Sequence, residues 1–394
     1  MDKLSGLRVL ELGGFVAAPF AGRWLAQLGA EVIKVESFEG DPTRTIMRGG
    51  PGTSFIAFGA EKRSVCIDLA SPAGHEVLMR LVETADVVLH NFSPDAARKL
   101  HLQKEDLLTR NPKLILCHIR GFGPGPRQDD VATNPMVEAA TGIMYNNRVE
   151  GRPMRMGPPY LDLFAGVNAV IGILAELASR GRTGACTGAA FDVGLYESAL
   201  HIASRDLIGV QMEARTEQKA LNARGEYALP GYGAYLTADD RWIFLLMLRD
   251  VHWQKFSEAM EIPESREESL AKLSGRQSQE ARVEKAIRDR VRQFDYDALA
   301  SRLKTSGVGF SEVVPPAQVF DEPQIKPPGK LVTARYLGHS YEVPGFPMFT
   351  GEPPQARQWE VPALGQDTLD VVRSLGYDES ECQALLGQRA IHAG

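Results

Sequence analysis

The chain has 394 residues, of which 44% are hydrophobic, 24% are charged and 8% are aromatic. This length provides for two domains with a sizeable core, and the composition excludes a mainly disordered chain. Lys and Arg total 44 against 50 Asp and Glu, so the net charge is −6, which argues against nucleic acid or an anionic membrane as the main partner.

Strand-like and helix-like segments alternate along the first half of the chain. Short apolar runs predict strands, and apolar residues at helical spacing predict helices. This alternation favours right-handed crossovers and a mostly parallel sheet. The predicted strands are 7–12, 31–36, 64–68, 86–90, 114–119 and 189–193, and the predicted helices are 19–28, 72–84, 135–145, 162–177 and 195–211.

The second half of the chain has a different pattern. Residues 231–247 predict a hairpin that turns at Asp239 and Asp240. Prolines then indicate an extended return path over residues 315–360. The helices predicted in this half are 264–294, 296–306, 367–375 and 378–386.

These patterns predict an α/β arrangement in the first part of the chain and a smaller α+β unit after about residue 220, followed by an extended, turn-rich return. No apolar leader precedes the first strand, and the most apolar stretch, 164–178, has about fifteen residues, whereas spanning a bilayer takes roughly twenty. We therefore expect a cytoplasmic protein.

The common catalytic motifs are missing from the sequence. Gly13 and Gly14 follow the first strand, but the run GGFVAAPFAG lacks the GxGxxG spacing of dinucleotide-binding folds. There is no GxSxG or HExxH motif, and the eight histidines never pair at metal-ligand spacing. The cysteines are too far apart for a disulfide framework or a zinc site, so each is interpreted as a small buried hydrophobe: Cys66, Cys117, Cys186 and Cys382.

One carboxylate stands out, in the segment GPPYLDLFAG at residues 157–166. Asp162 follows a stiff Pro-Pro turn and precedes an apolar helix, so it can be a simple helix cap. Its apolar neighbours favour a partly dry pocket instead, and Gly166, one turn later, would leave room for a bulky ligand. The local sequence leaves both interpretations open.

Short motifs occur in a fixed order along essentially the whole chain. They are LSGLRVLEL at 4–12, APFAG at 18–22, LGAEVIKVE at 28–36, KRSVCIDL at 62–69, DVVLHNF at 86–92, NPKLI at 111–115, GFG at 121–123, RGRTG at 180–184, FDVGLYE at 191–197, PALG at 362–365 and LGY at 375–377. The segment around Asp162 belongs to the same series. No single motif is specific, but the ordered set resembles the family III (CaiB/BaiF-type) CoA-transferases.

The resemblance implies a Rossmann-like parallel-sheet large domain whose first part is 1–224 and which a C-terminal return at 321–394 completes. It also implies a small α+β domain inserted at 225–320 and an interlocked homodimer. It implies an enzyme that uses coenzyme A as an acyl-CoA co-substrate, together with a small carboxylic acid and no metal. Asp162 would be its catalytic residue, forming an aspartyl anhydride with the acyl group and then an aspartyl-CoA thioester, before CoA passes to the acceptor acid. The helix N-terminus would keep Asp162 ionised.

The resemblance also implies a set of CoA contacts. Asn91 and Phe92 match the Asn-Phe pair near the nucleotide, and either Arg98 or Lys99 matches a basic residue that meets phosphate. Val16 and Ala17 lie in the loop that faces the thioester. Some members have a glutamine there, and because this chain has none, backbone N–H groups would stabilise the oxyanion.

The acceptor acid is less defined by the sequence. Arg148, Arg155 and Tyr160 precede Asp162 and are candidate substrate contacts, and paired arginines would suit a dicarboxylate, although a solvated basic loop is the simpler interpretation. An α-methylacyl-CoA racemase is an alternative, but residues 128–135 lack the histidine that it would need. Intramolecular CoA transfer and a non-catalytic acyl-CoA-binding subunit are further alternatives.

Overall fold

The computed structural model describes residues 2–45, 52–184, 186–216, 229–348 and 358–394, with backbone only at Ser265 and Arg266. The chain divides into two compact units. The first comprises Met1–Arg205 and Pro327–Gly394, and the second comprises Asp206–Lys326. The domain boundaries predicted from the sequence, 1–224, 225–320 and 321–394, remain a proposal.

The N-terminal part of the first unit alternates strands and helices, as the sequence predicts. Its elements are β1 (Arg8–Leu12), α1 (Ala17–Gln27), β2 (Glu31–Glu36), a 3-10 helix (Pro42–Arg44), α2 (Thr53–Gly59), β3 (Arg63–Ile67), α3 (Pro72–Thr84), β4 (Val87–His90), α4 (Pro94–Lys99), α5 (Lys104–Arg110), β5 (Ile115–Arg120), α6 (Asn134–Ala140), α7 (Ile143–Asn146), β6 (Arg148–Val149), β7 (Arg152–Pro153), α8 (Tyr160–Thr183), β8 (Ala189–Gly194) and α9 (Leu195–Thr216). The last residues of α9 belong to the second unit.

The second unit is a smaller α+β arrangement. Its strands β9 (Tyr232–Leu236), β10 (Trp242–Leu246) and β11 (Gly309–Val313) form an antiparallel sheet in the order β11-β10-β9. The predicted hairpin and its turn are confirmed, with Asp240 at a positive φ of 59°. The helices are α10 (Asp250–Met260), α11 (Leu273–Ser278), α12 (Glu280–Val291) and α13 (Tyr296–Ser306), with 3-10 helices at Pro263–Arg266, Glu268–Leu270, Pro316–Asp321 and Pro323–Ile325.

The C-terminal return adds to the first unit. A three-stranded sheet packs on α2 through a core that includes Phe55, Tyr336 and Trp359. The return contains β12 (Leu331–Tyr336), β13 (His339–Pro344), β14 (Trp359–Glu360), α14 (Thr368–Ser374), α15 (Glu379–Gly387) and β15 (Ile391–His392). The chain thus ends by adding a strand beside β3.

A seven-stranded sheet with the order β15-β3-β2-β1-β4-β5-β8 is the centre of the first unit. Its pairings are parallel except for β15 with β3. Successive residues of β1 point to opposite faces, so Leu10 belongs to one core and Val9 to the other. This confirms the α/β class with a large parallel sheet. The strand order reverses at β1 and β4, where such folds place their ligands, beyond the carboxyl ends of the strands.

Two predicted helices are wrong in their extent. The helix expected at 135–145 is two helices, α6 and α7, because Gly142 adopts a left-handed φ of 82° between them. The helix expected at 264–294 is broken into 3-10 turns and two helices. The charged residues there fit a helical pattern, but Leu270 is buried at the end of a 3-10 helix, and a separate helix begins at Leu273.

The helix that carries Asp162 is longer than the sequence predicts. It runs from Tyr160 to Thr183 over 24 residues, beginning two residues before Asp162, and ends at Gly184 with a left-handed φ of 68°. By length and composition alone this helix could cross a membrane. A third of its most apolar 18-residue segment is buried. The helix predicted at 162–177 is too short at both ends.

The cysteine prediction is confirmed at three of its four positions. Cys66, Cys117 and Cys382 are buried and unpaired, whereas Cys186 is exposed in the segment before β8 and is not part of a core.

Candidate functional site

The turn between β1 and α1 lies at the strand-order reversal and is held by Asn91. The backbone N–H of Gly14 donates to Asn91 Oδ1 (3.1 Å), and Asn91 Nδ2 donates back to the carbonyl of Gly14 (2.9 Å). Gly13 adopts a φ of 139°, and a Cβ there would lie 2.0 Å from Asn91 Oδ1. Only glycine therefore allows Asn91, at the end of β4, to approach this turn.

Buried charges hold the same turn from the other side. Phe15 has a left-handed φ of 64° and its N–H donates to Asp41 Oδ1 (3.4 Å). Lys34 Nζ contacts Asp41 Oδ2 (2.8 Å), Glu11 Oε1 (3.0 Å) and the carbonyl of Gly13 (2.9 Å). A strained backbone conformation at a non-glycine residue costs about 1–3 kcal/mol, so it persists because the surrounding contacts fix it.

A cavity of about 800 Å³ opens beside this turn. Its lining includes residues 13–15, the loop after β2, and Asn91 and Phe92 after β4. Ala96 of α4 and Leu100, which directly follows α4, complete one wall. The structure thus brings together Asn91 and Phe92, two of the predicted CoA contacts, in a cavity at the position where α/β folds bind nucleotides.

The two basic candidates on α4 differ in where they point. Arg98 lines a second groove, of about 590 Å³, with His118, Arg120 and Asp129, and forms ion pairs with Asp95 and Asp129. Lys99 is exposed and pairs with Asp95 (2.8 Å). Its neighbour Leu100 and Ala96, three residues earlier, both line the first cavity. Neither basic residue is among the lining residues of the first cavity.

Val16 and Ala17 form the start of α1. Val16 is the N-cap residue, and no side chain of the described chain caps this end of the helix. The first backbone N–H groups of a helix have no partner within the helix and favour negative charge. The turn can therefore offer the backbone donors that the sequence analysis expects in place of a glutamine.

Asp162 lies in the first turn of α8, and its cap comes from another helix. The N-cap position is Pro159, which has no capping side chain. Instead Asn134 Oδ1, on α6, accepts from the N–H groups of Leu161 (2.9 Å) and Asp162 (3.3 Å). Asp162 itself is therefore not the cap of this helix, and the simple capping interpretation is wrong.

The Asp162 carboxylate is partly buried and makes no hydrogen bond or ion pair within the described chain. Burial raises its pKa from 3.8 to about 6. The helix N-terminus offers this carboxylate little help, because Asn134 Oδ1 already accepts from the N–H groups of Leu161 and Asp162. At pH 7 about nine-tenths of the carboxylate is still ionised, so it can act as a nucleophile.

Gly166 faces α1 rather than open space. A Cβ at Gly166 would lie 2.8 Å from the carbonyl oxygen of Ala17 and 3.0 Å from Phe20 Cδ1. The predicted role of leaving room for a ligand is therefore wrong, and its role is close helix packing. Since residues four apart share a helix face, this contact brings the Asp162 side of α8 towards the Val16–Ala17 turn.

The three candidate substrate residues lie together in sequence before and at the start of α8. Residues 148–153 form a small hairpin of β6 and β7, with positive φ at Glu150 and Gly151. The guanidinium of Arg148 stacks over the Tyr145 ring at 4.4 Å. Arg155 and Tyr160 are exposed.

Sequence reasoning missed Asn134 and Glu138. Both are buried on α6, and Asn134 Nδ2 donates to Glu138 Oε1 (2.5 Å). The only signal in the sequence is their four-residue spacing, which places two polar side chains on one face of a short helix. In the part of the chain that the structure describes, no cluster of His, Cys, Asp or Glu could hold a metal ion.

Comparison with known proteins agrees with this architecture. The sequence profile of CoA-transferase family III matches residues 4–368. The succinyl-CoA–D-citramalate CoA-transferase of Chloroflexus aurantiacus is 30% identical, with 98% of each chain covered, and the succinate–glutarate CoA-transferase of Agrobacterium fabrum is 29% identical, with 94% of this chain and 95% of that protein covered. The crystal structure of a CaiB/BaiF family protein from Brucella suis superposes with a TM-score of 0.81 at 29% identity, covering 94% of this chain and 99% of that one.

The chain belongs to the family III CoA-transferases. The family and the names of these relatives support a transferase whose co-substrate is coenzyme A.

The contact between Gly166 and Ala17 leads to a prediction. Gly166→Ala is expected to destabilise the fold by about 1–3 kcal/mol, because the new methyl group meets a backbone carbonyl that cannot rotate away. Gly181→Ala, in the same helix with nothing within 4 Å of its new Cβ, is the matched control and should stabilise by up to about 1 kcal/mol. Thermal unfolding of both variants is the measurement, and an equal or higher Tm for Gly166→Ala would contradict the packing role.

Proposed function

We propose that this protein transfers CoA from an acyl-CoA donor to a carboxylic acid acceptor, with Asp162 as the catalytic residue. The observation that carries the proposal is a carboxylate without a partner in the described chain, on a helix whose Gly166, one turn further on, packs against the carbonyl of Ala17. Succinyl-CoA is the first donor to test, because the relatives named above act on succinyl-CoA or succinate. Acetyl-CoA is the second.

The proposed reaction proceeds through exchange at one carboxylate. An oxygen of Asp162 attacks the thioester carbon, the C–S bond breaks, and an acyl-aspartyl anhydride and CoA thiolate form. The thiolate then attacks the Asp162 carbonyl carbon and releases the donor acid as its carboxylate, which leaves an aspartyl-CoA thioester. The acceptor carboxylate repeats the two steps in reverse and leaves as its CoA ester. No net proton is taken up or released.

The surroundings of Asp162 suit these steps. The uncapped backbone N–H groups at the start of α1 can stabilise the oxyanion of each tetrahedral intermediate. A nucleophile whose pKa is raised to about 6 is more basic than an ordinary aspartate and is still ionised at neutral pH. Asn91 and Phe92 would contact the CoA nucleotide in the 800 Å³ cavity. Arg148, Arg155 and Tyr160 remain the proposed acceptor contacts.

Trapping of the intermediates tests the function. The protein is incubated with succinyl-CoA or acetyl-CoA and analysed by mass spectrometry, with and without hydroxylamine. We expect a CoA adduct, or a hydroxamate after trapping, that maps to the peptide containing Asp162 and is absent from Asp162→Asn. Exchange of solvent deuterium into the α-carbon of a branched acyl-CoA, without any adduct, would instead identify a racemase. Binding of both esters without adduct or exchange would identify a non-catalytic subunit.

The position of the α4 cations leads to a prediction for CoA binding. Lys99→Ala is expected to raise the KM for acyl-CoA about fivefold to tenfold, because we propose that its ammonium contacts a CoA phosphate beside the cavity that Ala96 and Leu100 line. Arg98→Ala removes an equal charge from the same helix, but its guanidinium lines the other groove. Initial rates at varied acyl-CoA measure both. A larger effect of Arg98→Ala would assign the phosphate contact to Arg98 instead.

We also propose that the protein is an interlocked homodimer in the cytoplasm. Ile171 on α8 and Ile202 on α9 are 58% and 44% exposed in the single chain, and a second copy would cover such apolar positions. Arg180 and Arg182 also lie on α8, which suits a protein–protein contact better than a bilayer core. Gel filtration under dilution tests the assembly, and a stable folded monomer would contradict it.

A further inference from the structure

A buried network of hydrogen bonds connects the backbone N–H groups of Met156, Leu161 and Asp162 through two side chains of α6. Asn134 is 8% exposed and Glu138 is 1% exposed, and they lie one turn apart. Asn134 Oδ1 accepts from the N–H groups of Leu161 and Asp162, and its Nδ2 donates to Glu138 Oε1 (2.5 Å). Glu138 Oε2 accepts from the backbone N–H of Met156 (2.9 Å).

Each polar atom of this hydrogen-bond network has a fixed role as donor or acceptor. A backbone N–H can only donate, so the oxygen of the Asn134 amide must face α8 and its nitrogen must face Glu138. Both oxygens of Glu138 then accept, one from Asn134 and one from Met156. The carboxylate forms no ion pair within the described chain, although it is almost fully buried. Burying a carboxylate without an ion pair is costly, so Glu138 depends on these two hydrogen bonds.

We propose that Asn134 and Glu138 are positioning residues that lock the first turn of α8, and with it Asp162, to the segment at Met156. This inference rests on the proposed function. The pair replaces the missing cap at Pro159 and fixes the backbone of the nucleophile. Through Met156 it also holds the segment between the β6–β7 hairpin and α8, where Arg155 lies. The nucleophile and the candidate acceptor contacts are thereby held in one relative geometry.

Exchanging the two polar types tests this proposal. Glu138→Gln places an amide nitrogen against either Asn134 Nδ2 or the Met156 N–H, so two donors meet. Asn134→Asp places a carboxylate against Glu138, so two acceptors meet. In the double variant Asn134→Asp with Glu138→Gln, the new carboxylate on α6 accepts from α8 and from the new amide nitrogen, and the new amide oxygen accepts from Met156. Every donor again has an acceptor.

We expect each single variant to lower the rate of adduct formation at Asp162 about 10- to 100-fold, with the dissociation constant of CoA changed less than about threefold. The double variant should recover to within about fivefold of the original rate. Unchanged rates in the single variants, or a double variant no faster than the slower single one, would overturn the proposal. A purely structural role would weaken CoA binding and adduct formation together.

Amide hydrogen exchange provides a readout that needs no catalysis. The N–H groups of Met156, Leu161 and Asp162 should exchange faster in both single variants than in the original protein, and return towards its rates in the double variant. This result, with no adduct from any acyl-CoA, would leave the positioning of α8 intact and reject the proposed function. Unchanged exchange in either single variant, despite an active enzyme, would reject the positioning role. Should a single variant fail to fold, recovery of protection in the folded double variant decides the question.

Discussion

Asp162→Asn is expected to stop CoA transfer, with a fall in kcat of at least about 1,000-fold, and at pH 8 to make the fold more stable. The loss of activity follows because an amide cannot attack a thioester to form an anhydride. The gain in stability follows from the burial of a charged group that no described residue neutralises. The two effects in opposite directions are characteristic of a group kept for chemistry rather than for stability.

The stability effect has a defined pH dependence. Burial raises the pKa of Asp162 from 3.8 in the unfolded chain to about 6 in the folded chain. The stabilisation gained by the protonated form is complete below pH 3.8 and is lost as the pH rises through about 6. Above that range the ionised carboxylate costs up to about 3 kcal/mol, and the uncharged asparagine removes this cost. The Tm of the variant should exceed that of the original protein by a few degrees at pH 8 and match it near pH 3.5.

Activity should follow the same ionisation. The kcat/KM for acyl-CoA is expected to fall tenfold for each pH unit below about 6, because only the ionised carboxylate attacks. Glu176→Gln removes a carboxylate from the same helix, about four turns further along, and is the matched control, with unchanged rate and pH profile. Rates that stay constant down to pH 4.5, or an Asp162→Asn variant that still transfers CoA, would contradict the assignment.

Local patterns predict the sheet and mark Asp162 as a candidate, but the catalytic role of Asp162 comes only from the resemblance to the family. The apolar runs at β1, β2, β4 and β5 are strands in the structure, since each is buried on both faces of a parallel sheet. Asp162 could be selected because its segment combines a Pro-Pro turn, one carboxylate and an apolar helix. The sequence underestimates the length of α8, because single polar residues do not end a helix whose other face is apolar.

What the sequence could not predict depends on contacts between distant residues. Asn134 and Asp162 are separated by 28 positions, and no periodicity connects an asparagine on one short helix with the cap of another. The role of Gly166 could not be predicted either, because the close approach of the Ala17 carbonyl exists only once α1 and α8 pack together. Charged residues such as Glu11 and Lys34 are ordinarily assigned to the surface, but here they are buried.

Lys34→Met is expected to have the largest effect on stability, a loss of about 3–5 kcal/mol in the free energy of unfolding. Lys34 Nζ contacts Glu11, Asp41 and the carbonyl of Gly13, and all three charged side chains are at most 1% exposed. Burial alone would lower the pKa of Lys34, but the carboxylates of Glu11 and Asp41 raise it above its ordinary value. Removing this cation leaves two carboxylates in a dry interior with one remaining cation, Lys62.

Lys62→Met is the matched control, because Lys62 belongs to the same cluster of buried charges as Glu11, Lys34 and Asp41. Lys62 Nζ contacts Glu11 Oε2 (2.5 Å) and the carbonyl of Pro19 (2.8 Å), but it makes no ion pair with Asp41. Burial lowers the pKa of its ammonium to about 8, so its partners compensate its charge less well than that of Lys34. We therefore expect Lys62→Met to cost clearly less than Lys34→Met in urea unfolding, and the reverse order would contradict this reading of the cluster.

The cluster also connects stability to function. Asp41 accepts from the N–H of Phe15, and Lys34 donates to the carbonyl of Gly13, so both ends of the strained turn beside the 800 Å³ cavity depend on this ion pair. Adding Asp41→Asn to Lys34→Met restores the charge balance, since Glu11 then faces Lys62 alone. The amide oxygen introduced by Asp41→Asn can still accept from the N–H of Phe15, but the hydrogen bond from Lys34 to the carbonyl of Gly13 is not restored. We therefore expect the double variant to regain part of the lost stability but to keep a raised KM for acyl-CoA. Recovery of stability together with an unchanged KM would show that the turn does not need the Lys34 contact.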